Sequence, residues 1–481
     1  MNRAWPKPRL PHILVLSQKM LVGLPFLVIG MHALILAQYP VVGAANNLDF
    51  LRVMMPAGIE DVEDPGQIHH RFVSQHYRPG QADLTNGFSS AACIAWLAKM
   101  LTPPDHLMDI RQVGAVDLIL IAMALAFALG MQANPVLCTL LLWAGLDVTY
   151  SLYFNSFFAD SAALLGILAL VLFCIVPHRP HKARLQILLD GLLVGAAAII
   201  GFSKQLYMVT PFVVATAILI ARTGPWRVHL RERGCVVLAL LATGTLCTYH
   251  FCSGSGYRFT EINKHHMVFY GIAAIADDPS AALAQLGISP NYTNLVNKDF
   301  FHLNPQEKEE SARALKTVSP FSVALLYARH PSMVARTVTR VWPNLTETYT
   351  ADPNFQDRSR NDSNNHYSGW WQFAGIRRAL MSDAVFGIPA LIIIVGAIAW
   401  IMLAVIRGTC RGEHVAACML ILCQAAFTIG SILGDGFFGL VRHLMGVRCC
   451  LDLLIALVFF VTARFLYKTI RSMTWHQELN L

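Results

Sequence analysis

The chain has 481 residues, of which 55% are hydrophobic and 14% charged, and its mean hydropathy is +0.49. Soluble domains carry roughly 25% charged residues, so this composition excludes a soluble fold and places most of the chain in a bilayer. The net charge of +8 comes from basic residues at the ends of apolar segments, without a basic run, so a nucleic-acid partner is not expected. The 11 cysteines include no CxxC pair, which argues against a zinc site.

Apolar segments recur along the chain at lengths that suit membrane helices. A spanning helix needs about 20 apolar residues, and ten segments meet or approach this length. The first run is longer than the apolar core of a cleaved signal peptide, so it is interpreted as an uncleaved span. The ten segments are 20–42, 113–131, 135–152, 161–177, 185–202, 207–221, 234–252, 384–406, 415–433 and 444–466. They predict an all-α polytopic membrane protein with about ten transmembrane helices.

The basic residues of the short loops predict the orientation. With ten spans, nearly all of them fall on one side, and the opposite short loops carry only Lys204 and Arg442. Because short cytoplasmic loops are enriched in lysine and arginine, both termini are predicted to be cytoplasmic. The membrane is predicted to be the inner (plasma) membrane of the cell. The residues on the predicted cytoplasmic side are Arg3, Lys7, Arg9, Lys19, Arg179, Lys182, Arg184, Arg222, Arg227, Arg231, Arg233, Arg407, Arg411, Arg464, Lys468 and Arg471.

The segment lengths divide the chain into five parts. A cytoplasmic N-terminus (1–19) precedes a seven-helix transmembrane module (20–252) with a long first outside loop (43–112). A mostly helical extracytoplasmic domain (253–383) follows, then three C-terminal helices (384–466) and a cytoplasmic tail (467–481). Within the first loop, the acidic patch 60–64 is expected to be a solvated loop. The apolar stretch 88–101 is expected to form an amphipathic helix on the outer membrane surface.

A carboxylate and a cation stand close together where the chain leaves the first span. The stretch NNLDFLRVMMPAGIE (46–60) contains Asp49 and Arg52, which share one face if the segment is helical. Such a pair suits an enzyme that takes a proton from one substrate and holds an anionic group of another. The alternative is an ordinary aspartate at a helix start.

Further polar residues gather at the predicted outer face of the membrane. Charged groups within a membrane are costly and usually functional, although a helix cap remains open for Asp147 and a self-neutralising ion pair for Arg448 and Asp452. The carboxylates Asp49, Asp160 and Asp435 suit a base or a divalent metal such as Mg or Mn. The cations suited to phosphate oxygens are Arg52, Lys204, Arg442 and His443.

Three stretches carry a resemblance to a known family. NNLDFLRVMMPAGIE, YFNSFFADSAA and GDGFFGLVRHL, with Asp452 downstream, resemble the bacterial polytopic hexose transferases of glycan biosynthesis, within the C-type glycosyltransferase (GT-C) superfamily. The resemblance implies a polyprenyl-phosphate-linked sugar as donor, a glycan or lipid acceptor, and inversion at the anomeric carbon. It implies that Asp49 is the general base, with Asp160 as the second catalytic carboxylate. The residues predicted to bind substrate or phosphate are Arg52, Asn155, Lys204, Asp435, Arg442 and His443.

Two other classes of function remain open. A flippase or transporter of lipid-linked sugars would be favoured by an inverted repeat and by broken helices near the membrane midplane, and the sequence shows neither. A polymerase or ligase of surface polysaccharide, or a non-catalytic assembly protein, is the second alternative. A divalent metal bridging Asp49 and Asp160 is compatible with the sequence, but nothing in the sequence requires one.

Overall fold

The computed structural model describes residues 12–39, 41–46, 49–62, 73–85, 87–103, 105–177, 183–221, 226–253, 257–347, 372–381 and 388–478. Some of the cations on which the predicted orientation depends lie outside these residues. They are Arg3, Lys7, Arg9, Arg179, Lys182 and Arg222. Glu63 and Asp64 of the acidic patch also lie outside them.

The described chain is almost entirely helical, as the sequence predicts. The helices are α1 (His12–Leu36), α2 (Leu51–Ala57), α3 (Ser90–Met100), α4 (Arg111–Gly130), α5 (Pro135–Gly145), α6 (Val148–Ser151), α7 (Ala159–Cys174), α8 (Ala183–Gly201), α9 (Thr210–Ile220), α10 (Trp226–Ser253), α11 (Tyr257–His265), α12 (Ala273–Ile275), α13 (Pro279–Gln285), α14 (Pro305–Ala314), α15 (Pro320–Arg329), α16 (Pro331–Thr346), α17 (Gln372–Met381), α18 (Ile388–Ile406), α19 (Gly412–Asp435), α20 (Leu440–His443) and α21 (Met445–Glu478). A π-helix (His266–Ile272) joins α11 to α12, and 3₁₀ turns lie at Leu152–Phe154, Gln205–Tyr207, Pro290–Leu295 and Phe300–His302.

Apolar helices stand at all ten predicted positions, which confirms an all-α polytopic membrane protein. Among the described residues, six helices are long and apolar enough to cross a membrane: α4, α8, α10, α18, α19 and α21. The pair Pro135–Gly145 and Val148–Phe154 makes a seventh if its 60° bend lies within one span. The shorter apolar helices at the other predicted positions are Met20–Leu36, Ala159–Cys174 and Gln205–Ile220.

Asp147 stands at the bend between α5 and α6 and caps two helices. Its Oδ1 accepts a hydrogen bond from the Thr149 amide at 3.0 Å, at the start of α6. Its Oδ2 accepts one from the Ala374 amide at 3.2 Å, in the first turn of α17. A capping carboxylate satisfies amides that have no partner within the helix, so the structural interpretation of Asp147 is the correct one.

The first outside loop contains strands that the sequence analysis did not predict. β1 (Ile59–Asp61), β2 (His76–Pro79) and β3 (Met108–Asp109) form an antiparallel sheet in the order β1-β2-β3. The start of the acidic patch is therefore an edge strand and not a solvated loop. The predicted amphipathic helix is α3, whose small residues Ala95 and Ala98 are fully buried while Trp96 is 47% exposed. This helix packs against α2, α4, α7 and α8, so it is part of the bundle.

The predicted ion pair of Arg448 with Asp452 is replaced by a different one. Asp452 pairs with Arg377 of α17, and both side chains are fully buried. Tyr150 donates a hydrogen bond to the same carboxylate at 2.5 Å. Arg448 instead donates to the carbonyl oxygens of Val441 at 2.6 Å and Glu347 at 3.2 Å. Arg448 lies one helical turn from Asp452 and was the partner that sequence spacing suggested. The actual partner, Arg377, comes from the insert, and sequence spacing does not reveal it.

Candidate functional site

A cavity of about 1380 Å³ lies where α9, α19 and α20 meet the insert. Seven ionisable side chains line one end of it, and we call them the ionic cluster: Asp49, Arg52, Lys204, His266, Asp435, Arg442 and His443. Apolar residues of α9 and α19 and side chains of the insert line the rest. Six of the eight predicted site residues therefore share one cavity, although the chain separates them by up to 394 residues (from 49 to 443).

Asp49 stands between two arginines in the turn that precedes α2. Its Oδ1 lies 3.7 Å from a terminal nitrogen of Arg52, three residues on, as the helical spacing predicts. Its Oδ2 lies 3.2 Å from Nη1 of Arg442, which precedes α21. Burial alone would raise the pKa of Asp49, but Arg442, Arg52, Lys204 and His443 together hold this pKa below the usual range of a carboxyl. The Asp49 carboxylate is thus ionised, and the two arginines hold it in place.

Lys204 forms an ion pair with the buried carboxylate of Asp160. The Lys204 ammonium donates to Asp160 Oδ2 at 3.2 Å, and the Tyr207 hydroxyl donates to Asp160 Oδ1 at 2.9 Å. Asp160 is 1% exposed and is not among the residues that line the cavity. Its position in the first turn of α7 suits a negative charge. The structure therefore places Asp160 as a residue that positions Lys204, whereas the sequence analysis predicted a catalytic carboxylate there.

Two histidines bracket Asp435. His443 Nε2 lies 2.8 Å from Asp435 Oδ2, and His266 Nδ1 lies 2.9 Å from Asp435 Oδ1. The other His266 nitrogen, Nε2, lies 3.1 Å from Asp299 Oδ1 and 3.2 Å from the Phe300 amide nitrogen. The imidazole also stacks on Phe438 with ring centroids 4.2 Å apart. His266 thus joins the insert to the membrane helices at the cavity.

Gly436 makes this junction sterically feasible. Its φ is +58°, and a Cβ atom at this position would lie 2.3 Å from the His266 carbonyl oxygen. Only glycine avoids both the strained backbone and the clash. The Gly-Asp-Gly turn that the sequence analysis singled out therefore brings Asp435 against the π-helix, a local irregularity that is frequent at functional sites.

Asn155 lies outside the cavity, contrary to its predicted role in substrate binding. It is fully buried, and its Nδ2 donates to the carbonyl oxygens of Leu36 at 2.9 Å and Val42 at 2.8 Å. It therefore fixes the chain where α1 ends and the first outside loop begins. Asn155 thus has a structural role, because it fixes the backbone of the segment that leads to Asp49.

The two carboxylates proposed for a metal are each engaged by cations. Asp49 is paired with Arg442 and Arg52, and Asp160 with Lys204. In the part of the chain that the structure describes, no group of three or more His, Cys, Asp or Glu side chains is arranged to hold a metal ion. Asp49 and Asp160 are therefore paired with cations and not with each other, and no step of the proposed reaction is assigned to a metal ion.

Several residues of the insert line the cavity although the sequence analysis did not select them. They are His266, Asn263, Arg340, Asn344 and Phe301. Arg340 lies over the Phe437 ring, 4.7 Å from the guanidinium carbon to the ring centroid. No local pattern marks these residues, because their neighbours in the cavity are distant in sequence. Only the pair His265-His266 in a polar segment was a weak signal.

The comparisons with known proteins give one match. A family model described as the YfdI N-terminal transmembrane domain matches residues 11–477. No curated protein and no solved structure matches the chain.

Proposed function

Because the chain belongs to the family of YfdI N-terminal transmembrane domains, we propose a function typical of glycosyltransferase-related membrane proteins. The chain transfers a hexose from a polyprenyl-phosphate donor to an extracytoplasmic glycan or lipid-linked acceptor. The observation that carries this proposal is the cavity itself, in which the ionic cluster ends an apolar groove. A lipid-linked phosphate has the same two parts, a charged head and a long apolar chain.

The groove is built by one stripe from each of two helices. From α9 and the residue before it, Val209, Phe212, Val213 and Thr216 face the cavity; from α19, Leu422, Ala425, Ala426, Ile429 and Leu433 face it. Both sets follow the i, i+3, i+4, i+7 spacing of one helical face. The polar atom of Thr216 is satisfied by the Phe212 carbonyl at 2.8 Å, so the stripe presents no unpaired hydroxyl to an apolar chain. Ile429 is 56% exposed, which gives the groove an opening toward lipid.

The ionic cluster supplies the charges that a direct displacement needs. Asp49 takes the proton of the acceptor hydroxyl while that oxygen bonds to the anomeric carbon. The bond from this carbon to the phosphate oxygen breaks, and the polyprenyl phosphate leaves with the electron pair. General-base catalysis of this kind is worth roughly 10²–10⁴-fold. Arg52, Lys204 and Arg442 stabilise the developing charge on the leaving phosphate, and a single displacement inverts the anomeric configuration.

The test follows radiolabelled hexose from a panel of polyprenyl-phosphate hexoses in membranes that contain the protein. We expect label to leave the lipid and appear in an acceptor glycan or lipid. A flippase would move the labelled lipid across the membrane without breaking the bond between sugar and phosphate. Transport of intact donor without any transfer would overturn the proposal.

The Lys204→Ala variant tests the phosphate contact. Losing one charge-assisted contact is expected to reduce the use of the donor by about 10- to 150-fold, the equivalent of about 1.5–3 kcal/mol. The measurement is kcat/KM for the donor, compared with Arg407→Ala, since Arg407 is exposed just after α18 and does not line the cavity.

Lys204→Ala also leaves Asp160 buried with Tyr207 as its remaining hydrogen-bond partner, so thermal stability must be measured beside the kinetics. The double variant Lys204→Ala/Asp160→Asn removes the uncompensated charge. If this double variant is as stable as the wild type and still uses the donor fully, Lys204 does not contact phosphate.

A further inference from the structure

A second groove lies between the start of α5 and the last turns of α21. Its volume is about 710 Å³, and it is lined by Asn134, Val136, Phe460, Ala463, Arg464, Tyr467, Lys468, Arg471 and Ser472. The helix α21 begins two residues after His443 of the ionic cluster, and the groove lies near its other end. The groove is therefore at the membrane face opposite the candidate active site.

The length of α21 places the cations of this groove at the level of lipid headgroups. The apolar window Met445–Ser472 has 28 residues. At 1.5 Å per residue it spans about 42 Å, whereas the hydrocarbon core of a bilayer is about 30 Å thick. With Met445 at the outer edge of the hydrocarbon and the helix close to the membrane normal, about the last eight residues of the window project into the headgroup region. Arg464, Lys468 and Arg471 fall at or within this part.

The three cations share one face of the helix. Arg464, Lys468 and Arg471 have the spacing i, i+4, i+7, so they line up along the groove. Arg464 donates to Glu413 of α19 at 3.2 Å. Among the described residues that line the groove, three are cations and none is acidic.

The floor of the groove below the cations is apolar. Phe460 is buried to 8% exposure, and Val136 of α5 faces it across the groove. Tyr467 also lines the groove and is 65% exposed, and tyrosine is enriched at membrane interfaces. The groove thus offers cations to a phosphate and apolar surface to an acyl chain.

We propose that this groove binds an anionic phospholipid. The phosphate lies against Arg464, Lys468 and Arg471, and one acyl chain lies along Val136, Ala463 and Phe460. Basic pockets between transmembrane helices at this depth recognise anionic headgroups in the same way. The site is separate from the ionic cluster and does not depend on the proposed transfer reaction.

The experiment measures lipid binding to the purified full chain. Protein in mild detergent is titrated with phosphatidylglycerol or phosphatidylcholine, and bound lipids are counted by native mass spectrometry. The double variant Lys468→Gln/Arg471→Gln leaves the pair of Arg464 with Glu413 in place. We expect it to bind phosphatidylglycerol on the order of 30-fold more weakly, with no change for phosphatidylcholine. The matched control is Arg329→Gln/Arg407→Gln, which removes two exposed cations elsewhere.

A second variant separates a built site from general surface charge. Ala463→Trp fills the groove without changing any charge, so we expect it to release phosphatidylglycerol as well. Thermal stability of both variants verifies that the bundle is intact. Unchanged phosphatidylglycerol binding in either stable variant would overturn the proposal. An equal loss in the control would also overturn it, as would a wild-type protein that binds phosphatidylcholine as tightly as phosphatidylglycerol. A protein found in the groove in place of lipid would also overturn it.

Discussion

Replacing Asp49 with asparagine is expected to lower transfer from a lipid-linked donor by roughly 10²-fold or more, while the protein remains folded and inserted. Asparagine keeps the size of the side chain and one carbonyl acceptor, but it cannot take a proton. A structural aspartate at a helix start would tolerate the change, since asparagine caps helices almost equally well. The measurement is the single-turnover rate with saturating donor.

The pH profile gives a second readout of the same residue. Arg442 and Arg52 hold the pKa of Asp49 below the ordinary value of about 3.9, so the base stays ionised as the pH falls through the mildly acidic range. In the pH profile of kcat/KM, which reports the enzyme before donor binds, an acidic limb that is due to Asp49 should therefore lie below pH 4. A limb near pH 6 would point to a histidine and not to Asp49.

The matched control for Asp49→Asn is Asp83→Asn. Asp83 lies in the same outside loop and accepts a hydrogen bond from the Thr85 amide at 2.8 Å. Because it lies outside the cavity, we expect its variant to retain full turnover. If Asp49→Asn keeps near-wild-type turnover, Asp49 is not the base. Asp435 would then be the next candidate, since it also lines the cavity.

The largest loss of stability is expected for Arg377→Met. Removing one partner of a buried ion pair leaves the other charge uncompensated, which typically destabilises by about 3–5 kcal/mol. Arg377 and Asp452 are both fully buried, and Arg377 also donates to the carbonyl oxygens of Leu345 at 2.9 Å and Glu347 at 2.6 Å. The variant therefore detaches α17 and the end of α16 from α21. Thermal unfolding in detergent measures the effect.

The neighbouring residue provides the control for this prediction. Arg378 is on the same helix but exposed, so Arg378→Met should unfold at nearly the wild-type temperature. The double variant Arg377→Met/Asp452→Asn should recover part of the loss, because asparagine is neutral and still accepts from Tyr150. If Arg377→Met and Arg378→Met are equally stable, the buried pair does not anchor α17.

The features that were predictable from the sequence are those that depend on nearby residues. Hydropathy is a local property, so the ten apolar helices appear where the sequence placed them. The pair of Asp49 with Arg52 follows from helical spacing. The strands β1 to β3 were missed because strands of two to four residues carry no clear alternation.

The features that were missed depend on contacts across long stretches of chain. Asp452 had a cation one helical turn away, and nothing in the sequence marks Arg377, 75 residues upstream, as its partner. The hydrogen bond between His266 and Asp435 joins residues that are 169 positions apart in the sequence. A motif also does not tell which of its residues line the cavity and which only hold the lining residues in place. Asp160 and Asn155 stand in the same motif, yet one holds Lys204 and the other holds the backbone of the first outside loop.

The ion pair of Arg442 with Asp49 has a consequence for the kinetic order of the two substrates. While Arg442 and Arg52 neutralise Asp49, the carboxylate is a weak base, and water that enters the site is poorly activated. A donor phosphate that draws these guanidinium groups toward itself raises the basicity of Asp49 at that moment. The proposed enzyme should therefore follow a compulsory order in which the donor binds first, and its reactive sugar should be protected from hydrolysis until an acceptor hydroxyl arrives.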